Sequence, residues 1–248
     1  MAIIIKNPQQ IEKMRHAGQL VKGAFDLLEE VVAEGITTRE LDETVVKFLK
    51  KNGATPSFKN YRGFPKSVCI SVNEEVVHGI PGIRKLANGD IVSIDIGAYI
   101  GGFHGDAART FAVGEIDPEA QRLMDVTKQS FFEGIKFAKS GCFLYQISAA
   151  IQDYVESHGF SVVRALIGHG IGAALHEDPE IPNFRQKNRG PRLRPGMTLA
   201  IEPMVNAGTY EVDFLDDDWT VVTADGKPSA HYENTVLITD GEPEILTM

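Results

Sequence analysis

The chain has 248 residues, 43% of them apolar and 24% charged, which suffices for one large domain with a substantial core. A formal charge of −9 without any basic stripe argues against binding nucleic acid through its phosphates, so no DNA partner is expected. Two cysteines, Cys69 and Cys142, make no disulfide framework, the run Ile3-Ile4-Ile5 is too short for a signal peptide, and no segment approaches the ~18 apolar residues of a membrane span. The expectation is a cytoplasmic protein without membrane association.

Pro8 opens a predicted helix that reaches about Glu34. A second helix lies between Gly35 and Gly53: Thr37 or Thr38 serves as N-cap, Leu41, Val45, Phe48 and Leu49 form the apolar stripe, and Gly53 stops it. A strand is predicted from Ser67 to Val72, then a loop carrying His78. Two acid-bearing strands follow, Ile91-Val92-Ser93-Ile94-Asp95 and, after Gly101-Gly102, Phe103-His104-Gly105-Asp106. Their spacing fits a hairpin that brings both carboxylates to one face.

The series then recurs. Pro118 opens a helix to about Ser140, and Gly141 and Gly159 bracket another with Ile147, Ile151, Tyr154 and Val155 at the matching apolar positions. A strand from Val162 to Leu166, a loop with His169 between glycines, and two acid-bearing strands with Glu202 and Glu233 complete it. Each half reads helix, helix, strand, loop, strand, strand. Two such halves related by a pseudo-twofold axis predict an α+β fold. One curved antiparallel sheet is covered by helices on one face, and the acids meet on the other. No linker interrupts residues 1–248, so a single domain is expected, with halves at about 1–115 and 116–248.

Four carboxylates and an imidazole on buried strands would repel one another unless something positive sat among them, and a pair of divalent metal ions is the economical answer. Oxygen-rich ligation with one imidazole suits manganese, iron or cobalt at least as well as zinc; the short Cys and His spacings of a structural zinc site are absent. Two such ions sharing one water lower its pKa towards ~7 and polarise the bond it attacks.

With those residues in hand, the chain resembles the bacterial-type methionine aminopeptidases, which share the duplicated "pita-bread" fold. The resemblance runs along essentially the whole length. It rests on Ser71-Val72-Asn73-Glu74 leading to His78-Gly79-Ile80-Pro81, on Ile94-Asp95-Ile96-Gly97, on Gly102-Phe103-His104-Gly105-Asp106, and on Gly168-His169-Gly170-Ile171-Gly172. Leu175-His176-Glu177, Ile201-Glu202-Pro203-Met204 and His231-Tyr232-Glu233-Asn234-Thr235 complete it.

The resemblance implies that Asp95 chelates one ion, that Asp106 and Glu233 bridge both, and that His169 with Glu202 completes the other. Glu202 would also be general base for the shared water. His78 would contact the scissile amide, and His176 would hydrogen-bond the carbonyl oxygen as charge builds there. Phe58, Tyr61, Phe64, Cys69, Leu175 and Trp219 would line the methionine pocket, and crowding near the two histidines would admit only a small second residue.

The implied activity is removal of initiator methionine from nascent peptides by a monomer that associates transiently with ribosomes. The stretch at 211–218 is acidic, which argues against docking on RNA there and leaves the helix with Lys47, Lys50 and Lys51 as the better, though weak, candidate. Two other readings of the scaffold are an Xaa-Pro peptidase or creatinase-like hydrolase, for whose extra N-terminal domain the chain has no room, and a non-catalytic binding protein, which would lack ligands that are present here.

Overall fold

The computed structural model describes residues 2–248. Helix α1 (Pro8–Val31) begins where Asn7 and Gln10 form a reciprocal capping box and Pro8 takes the first turn. It ends sooner than Glu34: Gly35 turns at φ +89° and its N–H donates to Leu86 O at 2.8 Å, which draws the chain away from the helix axis. Helix α2 (Thr38–Lys51) is capped by Thr37 with Glu40, and Gly53 follows at φ +75°. Helix α3 (Pro118–Ile135), capped by Asp117, stops short of Ser140. There the bonding tightens to i+3 contacts, from Phe137 N to Gly134 O and from Ala138 N to Ile135 O. Helix α4 (Leu144–Ser157) ends before Gly159 at φ +82°.

The strands are β1 (Thr55–Pro56), β2 (Cys69–Val72), β3 (Glu75–Val77), β4 (Ile91–Ile100), β5 (Phe103–Ala112), β6 (Ser161–Val162), β7 (Gly168–Gly170) and β8 (Glu177–Ile181). The remainder are β9 (Thr198–Ile201), β10 (Met204–Asn206), β11 (Val212–Phe214), β12 (Val221–Thr223), β13 (Ser229–His231), β14 (Glu233–Leu237) and β15 (Glu244–Ile245). A nine-stranded sheet runs β1-β4-β5-β14-β9-β7-β8, with β2 added on β4 and β15 on β14. Its middle is the antiparallel pairing of β5 with β14, where the N-terminal half meets the C-terminal half.

Two of the strands also depart from expectation. The strand predicted from Ser67 begins at Cys69, because the Asp42 carboxylate takes the N–H groups of Ser67 and Val68 at 2.9 and 3.1 Å in place of a neighbouring strand. The strand predicted over Val162 to Leu166 shrinks to β6 and joins β10 and β13 in a separate three-stranded sheet, while β3, β11 and β12 form another. Residues 165–167 leave the ladder to line a cavity, so the strands of the two halves do not all share one sheet.

The duplication is visible in the packing. Val21, Phe25, Leu41 and Val45 of α1 and α2 pack with Val92, Ile94 and Ile96 of β4. Leu123, Phe131, Ile147 and Ile151 of α3 and α4 pack with Leu199, Ile201 and Val236 of β9 and β14. Because side chains alternate along a strand, burying Ile94 and Ile96 against the helices turns Asp95 and Gly97 to the opposite face. Among the described residues no helix is long and apolar enough to cross a membrane.

Candidate active site

The β4–β5 hairpin pairs Asp95 with Ala108 and Gly97 with Asp106, which puts both carboxylates on the face away from the helices. Across the seam, Glu233 stands opposite Ala108 at the start of β14. His169 lies on β7 opposite Ala200, and Glu202 follows β9 directly. Five side chains from five strands or strand ends thus converge at one end of a cavity of about 290 Å³.

Each is fixed by its backbone surroundings. Thr235 Oγ1 accepts from Asp106 N at 3.0 Å and donates to Asp106 O at 2.9 Å, locking the two central strands at the acid. The Arg109 guanidinium donates to Glu233 O at 2.5 Å and to Asn234 Oδ1 at 2.6 Å, and its face lies over the Tyr232 ring. Asn183 Nδ2 donates to Glu202 O at 3.0 Å. His169 Nδ1 donates to Gly170 O at 2.8 Å, so the other nitrogen presents its lone pair, 3.6 Å from Glu202 Oε1 and 4.0 Å from Asp106 Oδ2.

The electrostatics of this cluster are unfavourable without a cation. Burial pushes Asp95 up to about 7. Asp106 is driven well above the carboxylate range by burial and by the charges of Asp95 and Glu202, Glu202 by burial and Asp95, and Glu233 by burial and its acidic neighbours. Burial pulls His169 down to about 4, leaving it neutral. Asp95 Oδ1, Asp106 Oδ1 and Glu233 Oε1 are buried with no hydrogen-bond partner. Orphaned carboxyl oxygens beside an imidazole lone pair fit divalent cations, and ligand atoms of Asp106, His169 and Glu233 lie within 4.8 Å of one another.

Most of the remaining lining is apolar. Phe58, Tyr61, Phe64, Cys69, Leu175 and Trp219 line it, with the Phe64 and Trp219 rings edge to face at 5.1 Å. Gly97 lets Phe58 approach: a Cβ there would lie 2.7 Å from the Phe58 ring. Cys69 pairs with Asp95 across β2 and β4, and burial together with the nearby acids raises its thiol well above its ordinary range, so without a cation it is a neutral packing group. His78 and His176 stand on the cavity wall. His78 is held at φ +61°, a left-handed conformation that costs a β-carbon residue strain and is common where a side chain must be aimed. His176 is sandwiched between His169 at 3.9 Å and Tyr61 at 5.2 Å.

All thirteen residues singled out from the sequence therefore line one cavity. His231 was passed over. Its ring is buried, Nε2 has no hydrogen-bond partner and lies 3.9 Å from Glu233 Oε2, and its ligand atom groups with those of Glu202 and Glu233 within 4.8 Å. Its place two residues before Glu233 along an extended segment was the available signal. Arg62, Val77, Met204 and residues 165–167 complete the lining and carried no such signal.

Comparison with known proteins agrees with this geometry. Residues 12–240 match metallopeptidase family M24. A methionine aminopeptidase of Clostridium perfringens is 58% identical over 246 residues, covering 99% of each chain. The crystal structure of a methionine aminopeptidase from Thermotoga maritima superposes with a TM-score of 0.97 at 47% identity, again over 99% of each chain. An Xaa-Pro dipeptidase from Bacillus anthracis shares the fold alone: its TM-score is 0.79 at 23% identity, and the match covers 98% of this chain but 61% of that one. The architecture is the pita-bread fold, and the chain belongs to metallopeptidase family M24, among the bacterial-type methionine aminopeptidases.

Proposed function

We propose that the protein is a dinuclear-metal methionyl aminopeptidase that removes the initiator methionine of new chains when the second residue is small. The observation that carries this reading is the two-ended cavity, with unpartnered carboxylate oxygens and an imidazole lone pair at one end and a pocket of aromatic and sulfur groups at the other. Asp95, Asp106, His169, Glu202 and Glu233 would hold the ions. When bound, two divalent cations supply Lewis acidity to the substrate carbonyl and acidify the attacking water.

The chain's own groups do the rest. Glu202 takes a proton from the attacking water and passes it to the departing amine. His176, pulled down to about 3 by burial and by its neighbours His169 and Arg62, is a neutral imidazole whose N–H donates to the carbonyl oxygen as negative charge develops. His78, also held neutral by burial, contacts the scissile amide. The flexible thioether of methionine fills the pocket lined by Phe58, Cys69 and Trp219. The Xaa-Pro and non-catalytic readings are not favoured, given 58% identity to a methionine aminopeptidase over 246 residues and a cluster of ligand-type side chains. The acidic hairpin of β11 and β12 repels RNA phosphates, so transient ribosome association, in this reading, uses another surface of a monomer.

The test is hydrolysis of Met-Ala-Ser, Leu-Ala-Ser and Met-Lys-Ser by protein stripped of metal and reloaded with Mn²⁺ or Co²⁺. Met-Ala-Ser is expected to be cleaved at least ~10-fold faster than either competitor, the discrimination a shaped apolar pocket supplies. Equal rates on all three would remove the specificity claim. Elemental analysis of the reloaded protein, expected to return two ions per chain, checks the stoichiometry.

A further inference from the structure

The segment ahead of α1 takes no part in the chemistry above, yet it reaches Glu177, the residue next to His176. The Lys6 side chain is 2% exposed and Glu177 is 4% exposed, with Nζ and Oε2 2.5 Å apart. Lys6 N donates to Gly196 O at 2.8 Å, which ties the segment to the turn before β9. The second Glu177 oxygen accepts from Ala174 N at 3.2 Å, and Gly172 N donates to Ala174 O at 3.0 Å, so the loop between β7 and β8 closes on the ion pair. Gly172 is obligatory there: a Cβ would lie 2.5 Å from both Glu177 Oε1 and Lys6 Cε.

A buried ion pair is a poor device for stability alone, because desolvating both ions offsets most of their attraction and an apolar pair of similar volume packs as well. Its merit is that it fixes geometry, and the residue joined directly to Glu177 is His176. The His176 ring is otherwise held by stacking on His169 and Tyr61, which sets its plane but lets it slide.

We propose that Lys6 is a positioning residue for His176, acting through the buried Lys6–Glu177 ion pair that anchors the β7–β8 loop. The proposal rests on reading His176 as the donor to the scissile carbonyl. With Lys6 gone, Glu177 loses its counter-charge and the loop relaxes towards water, carrying the imidazole off line. Misplacing a catalytic group by about 1 Å costs roughly 10- to 100-fold in rate.

The experiment is a double-mutant cycle of Lys6→Met with His176→Ala, measured on Met-Ala-Ser with Mn²⁺. Lys6→Met is expected to lower kcat by at least ~10-fold, with KM within about twofold and calorimetric Mn²⁺ affinity unchanged. Lys6→Arg should recover most of the loss. In the His176→Ala background the same substitution should change nothing, because its target is gone. If Lys6→Met folds poorly, the Lys6→Met/Glu177→Met pair removes both buried charges and should fold while keeping the low kcat. Wild-type kcat in either folded variant, or a loss that adds in full to that of His176→Ala, would overturn the proposal. The NMR shift of the His176 ring proton, expected to move in Lys6→Met, reads position without activity. An unmoved resonance also overturns the proposal, whereas failure of the wild type to prefer Met-Ala-Ser refutes the functional reading instead.

Discussion

Glu233 shows how one residue serves both halves of the molecule. It sits at the central seam, its carbonyl is held by Arg109, and its carboxylate faces Asp106 and His231. Glu233→Ala is expected to abolish peptide hydrolysis and to weaken Mn²⁺ binding by at least ~100-fold in a calorimetric titration, with the far-UV circular dichroism unchanged. A variant that still binds two ions tightly would refute its place as a bridge. Acids such as this one were legible in the sequence because a carboxylate at the end of an apolar run is conspicuous. The groups that hold them were not. Arg109, Asn183 and Thr235 are ordinary residues whose importance comes from what the fold sets beside them, Arg109 reaching Asn234 and Asn183 reaching Glu202. His231 had the right chemistry, and its place two residues before Glu233 was the one local sign that its ring shares that face.

At the scale of elements, what could be read was what is local. The helices began close to where the sequence set them, three of them because Asn7, Thr37 and Asp117 bond to N–H groups two or three residues away, whereas α1 and α3 stopped short of Glu34 and Ser140. Strand ends failed where a distant group intervened, as Asp42 does at Ser67. Close approaches between elements were equally invisible, and α1 contains a controlled pair. A Cβ on Gly18 would lie 2.2 Å from the backbone oxygen of Leu246, just after β15, whereas one on Gly23 would meet only the far end of the Phe48 ring at 2.7 Å. Alanine gains roughly 0.5–1 kcal/mol over glycine inside a helix. Overpacking against fixed backbone costs about 1–3 kcal/mol, so the clash wins at Gly18, while a ring tip can rotate aside. Gly18→Ala should therefore lower the urea midpoint by an amount equivalent to about 1–2 kcal/mol, and Gly23→Ala should fall well short of that. The reverse order would show that α1 is not clamped against the C-terminal segment.

For the whole molecule, the joined halves give stability a pH dependence set by two opposed groups of buried residues. Burial holds His104 and His169 down to about 4 and His176 and His231 to about 3, so the folded chain binds fewer protons than the unfolded chain between those values and 6.5. That contribution makes stability rise with pH, and it is complete by about 6.5. Asp95, Asp106, Glu202 and Glu233 act the other way. Their folded values lie above the unfolded ones, Asp95 at about 7 and the others well above their ordinary range, so the folded chain keeps protons that the unfolded chain has lost. Stability from these acids falls as pH rises through about 7, by roughly 1.4 kcal/mol per pH unit for each proton retained. Below 6.5 the two sets offset each other; above it, of these two sets, only the acids act. The chelated protein should therefore lose Tm steadily from about pH 6.5 to 8. Mn²⁺ displaces those protons and binds the folded chain alone, so the Tm difference between Mn²⁺-loaded and chelated protein should widen over the same interval. A difference that stays constant with pH would mean that the four acids are not jointly engaged by the cation.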